Sequence, residues 1–355
     1  MKVLDYLDIY KPKINETIKK IFNYKLDKVK APILKGYYSE LLDYFLSGGK
    51  RLRPLICIAS YNAFKKEKDE RIIFPSVGIE FLHNASLIHD DIIDRDDFRR
   101  NNPAFHYKFR KYHEDHHLKK MDKYHYGTSM GIIGGDFAFF IGLNAFSNNE
   151  FNELKNLKAV NYYAEAFYEL CDGILIEMDM INRNDLIIDE YIEMISLKTG
   201  ALIQKSMLIG AMYADAPENA LNYLGNYGIN VGIIFQIIDD ILGTFGDEKV
   251  TGKPIDGDIR EGKKTCLLIK ALQNLDQNKR NELINLVGKN NITQDEINKV
   301  RELFKESDAI NACMELVNKY KDLAKNQLEQ IQQEINQSEF EFYENLLKYV
   351  SERSF

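Results

Sequence analysis

Residues that would indicate a disulfide-rich, zinc-binding or β-rich protein are scarce in this sequence. The 355-residue chain contains seven prolines, four cysteines and no tryptophan. The cysteines (Cys57, Cys171, Cys266 and Cys313) are far apart and form no CxxC pair, which favours buried free thiols over a disulfide framework or a zinc site. Strict alternation of apolar and polar residues, the pattern of strands, is nearly absent. The chain is therefore predicted to be helical and to reside in a reducing compartment.

An excess of positive charge and long uninterrupted apolar runs are also lacking. The formal net charge is −7, so a nucleic-acid-binding role has no electrostatic support. No stretch approaches the length of a membrane span, and residues 1–20 carry charges throughout, without the apolar core of a secretory signal. We therefore expect a cytoplasmic protein with no transmembrane segment and no nucleic-acid partner.

Long segments instead place apolar residues at the three- and four-residue intervals of amphipathic helices. These segments are residues 77–93, 191–213, 221–242 and 293–350. Neither a low-complexity linker nor a short-period repeat divides the chain. The predicted fold class is all-α, with a single domain over residues 1–355.

A polar, histidine-rich segment at residues 111–127 interrupts this pattern. Its His113, His116 and His117 are candidate metal ligands. A solvated charged loop is the favoured interpretation, because runs of charged and polar residues usually face water.

The strongest local signal is LIHDDIIDRDDFRR, residues 87–100. In a helix, Asp90 and Asp94 share a face, and Asp91 lies about 100° round the axis from Asp90. Carboxylates at the end of an otherwise apolar helix repel one another, and a set of oxygen ligands favours Mg²⁺ over zinc. A solvated acidic helix end is the alternative that this cluster alone leaves open.

A second aspartate pair weakens that alternative. The segment FQIIDDILG, residues 235–243, places Asp239 and Asp240 after another long apolar helical run. Two helices that each end in paired aspartates can face each other across one cavity. Such a cavity would hold several metal ions and a highly charged ligand.

Cationic side chains accompany both acidic pairs along the chain. The segment GGKRLRP, residues 48–54, sets Lys50, Arg51 and Arg53 beside a flexible glycine pair, a combination suited to a phosphate group. Further cations near the acidic segments are Arg99, Arg100, Lys198, Lys253, Lys263 and Lys264. Together they indicate a diphosphate held between metal ions and Lys or Arg side chains.

These motifs, taken in order, resemble the isoprenyl diphosphate synthase family, also called polyprenyl synthetases. The resemblance covers residues 48–265: GGKRLRP, the DDxxD of residues 90–94, LKTGALI from Leu197, FQIIDDIL, GKP and DIREGKKT. It implies an all-α fold of antiparallel helices around a deep central cavity, usually in a homodimer. It also implies a Mg²⁺-dependent trans-prenyltransferase that condenses isopentenyl diphosphate with an allylic diphosphate (dimethylallyl, geranyl or farnesyl).

The family pattern assigns roles to individual positions. Asp90 and Asp94 are expected to bind two Mg²⁺ ions with support from Asp91, and Asp239 is expected to bind a third. The expected isopentenyl diphosphate ligands are Lys50, Arg53, His83 and Arg100, with Arg51 in the same motif. The expected allylic diphosphate ligands are Arg99, Lys198, Lys253 and Lys263. Thr199 and Gln236 are expected to face the developing carbocation, whereas His89 is expected to be structural.

The implied mechanism follows from charge. Breaking the allylic C–O bond leaves a carbocation and pyrophosphate, so cations that stabilise the leaving anion lower the barrier. The isopentenyl double bond then attacks, and by family analogy the departing pyrophosphate takes the released proton. Water must be excluded, which suits apolar walls.

The chain departs from the family pattern in two places. Gly243 stands where the second acidic motif commonly has another aspartate, so Asp240, Asp247 or Asp258 is expected to support the third metal site instead. Gly173-Ile174 replaces the usual Gly-Gln pair, and Glu177 stands where the family has an acid.

Product length is predicted from the residues that precede the first acidic motif. Farnesyl and many archaeal geranylgeranyl synthases have an aromatic residue five positions before it, where this chain has Ala85, followed by Ser86. These small residues argue against a C15 product. Phe81, a further turn away, is expected to limit the chain, and the candidates for a floor are Phe137, Phe139 and Phe140. The prediction is a C20 product, geranylgeranyl diphosphate, with C25 or longer as the alternative.

Three other classes of protein remain to be distinguished. A class I terpene cyclase would have no use for the GGKRLRP site. A metal phosphohydrolase with His83, His89 and Asp90 as ligands would leave Asp239 and Asp240 unexplained. A non-catalytic subunit of a heteromeric synthase would be expected to have lost the first acidic motif.

Overall fold

Helices predominate in the computed structural model, which describes residues 3–67, 69–147, 149–246 and 255–352. Within these ranges the strands are the antiparallel pair β1 (Phe98–Arg99) and β2 (Asn102–Pro103). The all-α prediction is confirmed.

The chain divides into two compact units. The first comprises Met1–Tyr163 and Ile209–Asp215, and the second comprises Ala164–Leu208 and Ala216–Phe355. Each unit has a core of its own. A single domain over residues 1–355 stays a prediction.

The first unit is built from helices that precede and follow the first acidic motif. They are α1 (Val3–Lys28), α2 (Pro32–Leu46), α3 (Leu52–Ala63), α4 (Ile73–Ile93), α5 (Phe105–Asp115), α6 (Lys123–Ser147) and the start of α7 (Glu153–Ile181), with a 3₁₀ turn at Glu70–Ile72. The predicted helix at residues 77–93 is confirmed within α4. Since α4 carries the acidic motif, its packing fixes the position of that motif.

Glycine permits the close packing of α4 against α6. A Cβ at Gly78 would lie 2.6 Å from the ring of Phe146, and a Cβ at Gly135 would lie 2.2 Å from His89 Nε2. Both separations are far below ordinary van der Waals contact, so a larger residue at either position would force the two helices apart. His89 thus packs against α6, which agrees with its expected structural role.

The amphipathic helix α1 covers another side of this core. Its buried residues recur at helical spacing: Val3, Tyr6, Tyr10, Ile14, Ile18 and Phe22. Burying a large apolar side chain of this kind contributes about 1.5–3 kcal/mol. The Phe22 ring lies 5.3 Å from the ring of Phe45 and 5.6 Å from that of Phe81. These aromatic contacts join α1 to α2 and α4.

The second unit contains the second acidic motif. Its helices are the remainder of α7, α8 (Ile188–Ile195), α9 (Ala201–Tyr213, whose end belongs to the first unit), α10 (Glu218–Phe245), α11 (Gly257–Glu261), α12 (Cys266–Asn274), α13 (Gln277–Leu286), α14 (Gln294–Glu306), α15 (Ala309–Gln330) and α16 (Gln337–Ser351). A π-helical segment, Ser196–Gly200, joins α8 to α9. The predicted segment 191–213 is thus helical but interrupted, and 293–350 forms three helices.

Two local predictions in the second unit can be compared with the structure. Thr293 accepts a hydrogen bond from the Glu296 N–H, and the Glu296 side chain accepts one from the Thr293 N–H, a capping box that begins α14 as expected. The thiols of Cys266 and Cys313, far apart in sequence, lie in contact, with Sγ atoms 2.7 Å apart and both residues buried. Spacing along the chain could not predict that contact.

By length and composition, α6 and α10 could each cross a membrane. This differs from the prediction that no stretch approaches such a length, because glycines and single polar residues interrupt the apolar runs of both helices while the large apolar residues keep the mean hydropathy high. The most apolar window of α10 is 61% buried, which fits a core helix. Core helices of soluble proteins pass the same test, so this property alone does not indicate a membrane protein.

The histidine-rich segment is only partly a loop. Residues 111–115 end α5 and residues 123–127 begin α6, which leaves residues 116–122 as an exposed connection. His113 is buried with its Nε2 2.7 Å from the Met121 carbonyl oxygen, and His116 Nδ1 lies 2.9 Å from the Tyr112 carbonyl oxygen. His117 is exposed. His113 and His116 therefore each have one ring nitrogen within hydrogen-bond distance of a main-chain carbonyl oxygen.

Candidate active site

The first acidic motif lies at the end of α4. Asp90 and Asp91 belong to its last turn, and Asp94 follows the helix with its N–H donating to the Asp90 carbonyl oxygen over 2.8 Å. The Asp90 side chain is 21% exposed, whereas that of Asp91 is fully buried. The two neighbouring carboxylates therefore occupy different environments.

Arg99, on β1, connects these two aspartates. Its Nη2 donates to Asp90 Oδ2 over 3.1 Å, and its Nε pairs with Asp91 Oδ1. Tyr44, on α2, donates its hydroxyl to Asp91 Oδ2 over 3.3 Å. Burial raises the pKa of Tyr44, which keeps its phenol protonated as a donor. The structure thus brings together Asp90, Asp91 and Arg99, three predicted site residues.

Three more predicted site residues crowd together beside the glycine pair. Gly48 and Gly49 have φ of 90° and 86°, and a Cβ at Gly49 would lie 3.1 Å from Arg100 Nη1. Burial, with Arg100 nearby, lowers the pKa of Arg53 to about 10 despite the opposing effect of Glu80. Burial, together with Arg53 and Arg100, lowers the pKa of His83 well below its usual value.

Arg53 Nε is the most informative atom of this cationic cluster (Arg53, His83 and Arg100). It is buried and has no hydrogen-bond partner among the residues that the structure describes. A buried N–H without a partner is costly, and mutual repulsion adds to the cost of crowding cations. An anionic ligand would relieve both. Lys50, in the same loop, is exposed.

Arg51 behaves differently from its neighbours. Its side chain is fully buried, with Nη1 2.7 Å from Glu80 Oε1 and Nε 2.9 Å from Asn15 Oδ1. Its Nη2 donates to the Phe45 carbonyl oxygen. These bonds tie the start of α3 to α1, α2 and α4, so Arg51 has a structural role here. Direct contact with substrate stays a prediction for this residue.

The residues expected to set product length lie on different faces of α4. Phe81 is nine residues from Asp90, which places it about half a turn away around the helix. Its fully buried ring lies 4.8 Å from the ring of Phe45, within the core of the first unit. Ser86, four residues before Asp90, shares the side of Asp90 and is half-buried, whereas Ala85 is fully buried. Phe81, one turn before Ala85, therefore lies on the side of α4 away from Asp90, and its role in limiting the chain stays a prediction.

The three phenylalanines of α6 do not form one surface. Phe137 is stacked on Tyr38 with ring centroids 4.7 Å apart, and Phe139 meets the edge of His89 at 5.5 Å. Phe140 is 71% exposed. A shared role as a cavity floor stays a prediction and gains no support from these contacts.

In the second unit, Lys198 and Thr199 lie within the π-helical segment between α8 and α9. π-Helical turns often occur at functional sites because they displace the side chains of a helix. Lys198 Nζ lies 2.5 Å from Glu177 Oε2, on α7. A Cβ at Gly173 would lie 2.5 Å from the Lys198 backbone nitrogen, so glycine allows this approach of α7. Glu177 is the acid that the family pattern expects at this position. It pairs with Lys198, a predicted ligand of the allylic diphosphate.

The two aspartates of the second acidic motif differ in exposure, as those of the first motif do. Asp239 is exposed, whereas Asp240 is 6% exposed. Asp240 accepts hydrogen bonds from the Tyr191 hydroxyl (2.7 Å) and from Gln236 Nε2 (2.8 Å). Burial, with Asp258 nearby, raises the pKa of Asp240 to about 8. Gln236 Oε1 in turn accepts a hydrogen bond from the Thr199 hydroxyl over 2.8 Å.

Asp258 lies beside the position of the missing third aspartate. A Cβ at Gly243 would lie 3.2 Å from Asp258 Oδ2. Among the proposed substitutes for that aspartate, Asp258 therefore brings a carboxylate to the expected place. Lys263 Nζ pairs with Glu261 Oε2 at 2.8 Å. Lys253 and Asp247 lie outside the described residues.

Comparison with known proteins identifies the family. The family model described as polyprenyl synthetase matches residues 35–307, well over half of the chain. This chain belongs to the polyprenyl synthetase family. The resemblance drawn from the motifs is confirmed.

Relatives of this polyprenyl synthetase include two curated archaeal proteins. The short chain isoprenyl diphosphate synthase of Methanocaldococcus jannaschii is 36% identical over 270 residues, which are 76% of each chain. The geranylgeranyl diphosphate synthase of Sulfolobus acidocaldarius is 32% identical over 353 residues, 98% of each chain. Among solved structures, geranylgeranyl pyrophosphate synthase from Corynebacterium glutamicum, complexed with isoprenyl diphosphate and magnesium, has a TM-score of 0.91 at 26% identity, covering 98% of this chain and 99% of the other.

The donor atoms of this polyprenyl synthetase fit a hard divalent cation. In the described part of the chain, no three His, Cys, Asp or Glu side chains converge closely enough to hold a metal ion alone. Mg²⁺ is commonly held by one or two carboxylates with water and substrate phosphates, so the aspartates near the ends of α4 and α10 suit it.

Sequence reasoning did not identify Tyr44, Tyr191 or Glu80 as site residues. Each lies within a run of apolar helical spacing, where an aromatic or a lone acid is normally assigned to packing or to a surface. The available signal was a polar atom at a buried position, which needs a partner inside the protein. The identity of that partner depends on tertiary structure.

Proposed function

We propose that the chain is a Mg²⁺-dependent trans-prenyltransferase that condenses isopentenyl diphosphate with an allylic diphosphate, most specifically to geranylgeranyl diphosphate. The family and the names of the archaeal relatives support this activity. The observation that carries it is the cationic cluster of Arg53, His83 and Arg100, in which the buried Arg53 Nε needs an acceptor. A second diphosphate site beside an acidic motif is what condensation requires and what simple ionisation does not.

The isopentenyl diphosphate occupies the cationic cluster. Arg53, Arg100 and the exposed Lys50 supply positive charge beside the positive-φ glycine pair Gly48–Gly49. His83, whose pKa is lowered by burial and by the nearby arginines, is neutral and contributes a hydrogen bond rather than a charge.

The allylic diphosphate is the substrate that is ionised. Asp90, Asp94 and Asp239 would hold two or three Mg²⁺ ions, which when bound would supply charge that stabilises the leaving pyrophosphate. Arg99, Lys198 and Lys263 add donors, as does Lys253. Thr199 and Gln236 present fixed oxygen dipoles to the carbocation and cannot readily trap it, since neither is a strong nucleophile. The pyrophosphate oxygen takes the proton that is lost when the new double bond forms.

The activity is tested by incubating the purified protein with labelled isopentenyl diphosphate, each allylic primer and Mg²⁺, and sizing the products. A main product of C20 is expected, and one of C25 or longer would support the alternative length. Phe81→Ala is expected to leave the product ladder unchanged because Phe81 packs in the core. Cyclic hydrocarbons, or phosphate release without elongation, would contradict the proposal.

We further propose that the protein is cytoplasmic and that it forms a homodimer. The homodimer is proposed because α6 exposes large apolar side chains. Ile133 and Phe140, 55% and 71% exposed, are seven residues apart and share a face, and Ile132 is 46% exposed. Such a patch is a poor surface for a monomer. Ile133→Lys/Phe140→Lys is expected to give monomers by sedimentation, with Leu4→Lys, an exposed position on α1, as the matched control. A wild-type protein that sediments as a monomer at micromolar concentration would refute the dimer.

A further inference from the structure

A chain of hydrogen bonds in the second unit links four side chains and converges on Asp240. The Tyr191 hydroxyl donates to Asp240 Oδ2, Gln236 Nε2 donates to Asp240 Oδ1, and the Thr199 hydroxyl donates to Gln236 Oε1. The three distances are 2.7, 2.8 and 2.8 Å. Tyr191, Asp240 and Thr199 are 1%, 6% and 7% exposed, so water competes little for these bonds.

The carboxylate of Asp240 fixes the direction of this chain. Its Oδ1 accepts from the Gln236 amide nitrogen, which can only donate, and its Oδ2 accepts from the Tyr191 hydroxyl, so the NH₂ group of Gln236 is turned towards Asp240. The Gln236 carbonyl oxygen then points to Thr199 and accepts a hydrogen bond from the Thr199 hydroxyl. The lone pairs of the Thr199 oxygen are not engaged by that bond.

This arrangement separates the roles of the two aspartates. Both oxygens of Asp240 already accept hydrogen bonds from Tyr191 and Gln236, and its side chain is buried. Asp239, one residue earlier on α10, is exposed. A metal ligand must be accessible, as the exposed Asp239 is and the buried Asp240 is not.

We propose that Asp240 and Tyr191 are positioning residues that orient the Gln236 amide, so that the oxygens of Gln236 and Thr199 face the carbocation with their negative ends. The inference rests on the proposed function, in which Thr199 and Gln236 face that cation. Dipoles that are oriented before ionisation stabilise developing charge without the cost of turning during the reaction. Neither Asp240 nor Tyr191 touches the substrate in this account.

The test begins with Asp240→Asn and Tyr191→Phe, assayed for kcat and for KM of both diphosphates. Asn presents an NH₂ group to either Gln236 or Tyr191, so the Gln236 amide loses its fixed orientation. We expect kcat to fall about 10-fold to 100-fold, at the lower end of what one misplaced dipole costs. KM should change less than about threefold, because ground-state binding is unaffected. Tyr191→Phe should lower kcat by a few-fold, and Asp322→Asn, an exposed position on α15, is the control.

A double-mutant cycle with Thr199→Val separates positioning from a merely structural role. If Asp240 acts through Gln236 and Thr199, Asp240→Asn should cost several-fold less in the Thr199→Val background than in the wild type. Independent effects that multiply would overturn the proposal. The same cycle with Tyr191→Phe gives the answer if Asp240→Asn does not fold, which thermal melting reports.

Two further outcomes identify which claim has failed. If Thr199→Val retains wild-type kcat, the role of Thr199 in the proposed function is wrong. If Thr199→Val is slow but Asp240→Asn retains wild-type kcat, only the positioning inference is wrong. An increase in the Mg²⁺ concentration for half-maximal rate, as large in Asp240→Asn as in Asp239→Asn, would make Asp240 a metal ligand and overturn the inference.

Discussion

The two acidic pairs share one arrangement of exposure and hydrogen bonding. They are Asp90–Asp91 in the first unit and Asp239–Asp240 in the second. In each pair the first aspartate is the more exposed one, and the second is buried and accepts a hydrogen bond from a buried tyrosine, Tyr44 or Tyr191. The pairs differ in the other donor. Asp91 pairs with the charged Arg99, whereas Asp240 accepts from the neutral amide of Gln236.

That difference assigns different tasks to the two buried carboxylates. Asp91 holds a guanidinium that also bonds to Asp90 and that, in the proposed function, binds the allylic diphosphate. Asp240 holds the Gln236 amide, the dipole that we propose faces the carbocation. Without a charged partner, burial raises the pKa of Asp240 to about 8, which shows how little its surroundings compensate its charge. The repeated sequence motif thus holds a guanidinium in the first unit and an amide in the second.

The largest expected effect comes from the open aspartates. Asp90→Asn and Asp239→Asn should each lower kcat by roughly 10³-fold, because each removes a carboxylate proposed to hold the cation that stabilises the leaving group. Steady-state assays at saturating Mg²⁺ measure this, with Asp322→Asn as the control. If either variant retained more than a tenth of wild-type activity, the two motifs would not share one task.

The next largest effect concerns stability and separates the buried aspartates. Asp91→Asn leaves the buried Arg99 without its full counter-charge and should lower the free energy of unfolding by about 3–5 kcal/mol. Asp240→Asn exchanges a poorly compensated carboxylate for an amide among neutral donors and should change it by about 1 kcal/mol or less. Urea denaturation in EDTA compares the two. Equal losses would show that the difference in donors has no energetic consequence.

A smaller effect is expected from pH, because the ionic surroundings of the first motif extend to His106. His106 Nε2 lies 2.7 Å from Arg110 Nη2, which itself pairs with Asp97. Burial lowers the pKa of His106 to about 4, and the positive charge of Arg110 adds to that effect. The unfolded chain therefore binds the proton more readily, so stability is full above about pH 6.5 and is lost as the pH falls towards 4.

This contribution should amount to about 2 kcal/mol between pH 7 and pH 5. Denaturation of His106→Gln, compared with wild type and with the exposed-site control His125→Gln, measures it. The His106→Gln variant should lose correspondingly less stability over that interval. If the stability of His106→Gln fell with pH as steeply as that of the wild type, a group other than His106 would account for the acid sensitivity.

The smallest expected effect is a change in product size. Ser86 shares the side of Asp90 on α4, so Ser86→Phe should shorten the main product by about one five-carbon unit while changing turnover only a few-fold. Chromatography of the products measures this. If Ser86→Phe gave the same products as the wild type, this face of α4 would not line the elongation site.

The sequence predicted the helical fold and the chemistry of the site because both depend on local patterns. Apolar periodicity located α4 and α10, and the spacing of Asp90 and Asp94 indicated an oxygen-ligand metal site. Arg51 shows what such patterns miss: its motif indicates phosphate binding, yet its guanidinium is buried against Glu80, 29 positions away. Phe81 shows a second limit, since its position one turn before Ala85 did not reveal that its ring packs against Phe22 and Phe45 in the core. Tyr44 and Tyr191 became site residues only through partners far along the chain.

The central claim is that Asp90, Asp94 and Asp239 act on one pyrophosphate through bridging Mg²⁺ ions. A crystal structure with Mg²⁺ and an unreactive thiolo analogue of the allylic diphosphate tests it most directly. We predict oxygens of all three aspartates at about 2.1 Å from ions that also contact the diphosphate, a distance typical of Mg²⁺. Asp239 directed into solvent, with no ion between it and the diphosphate, would contradict the account.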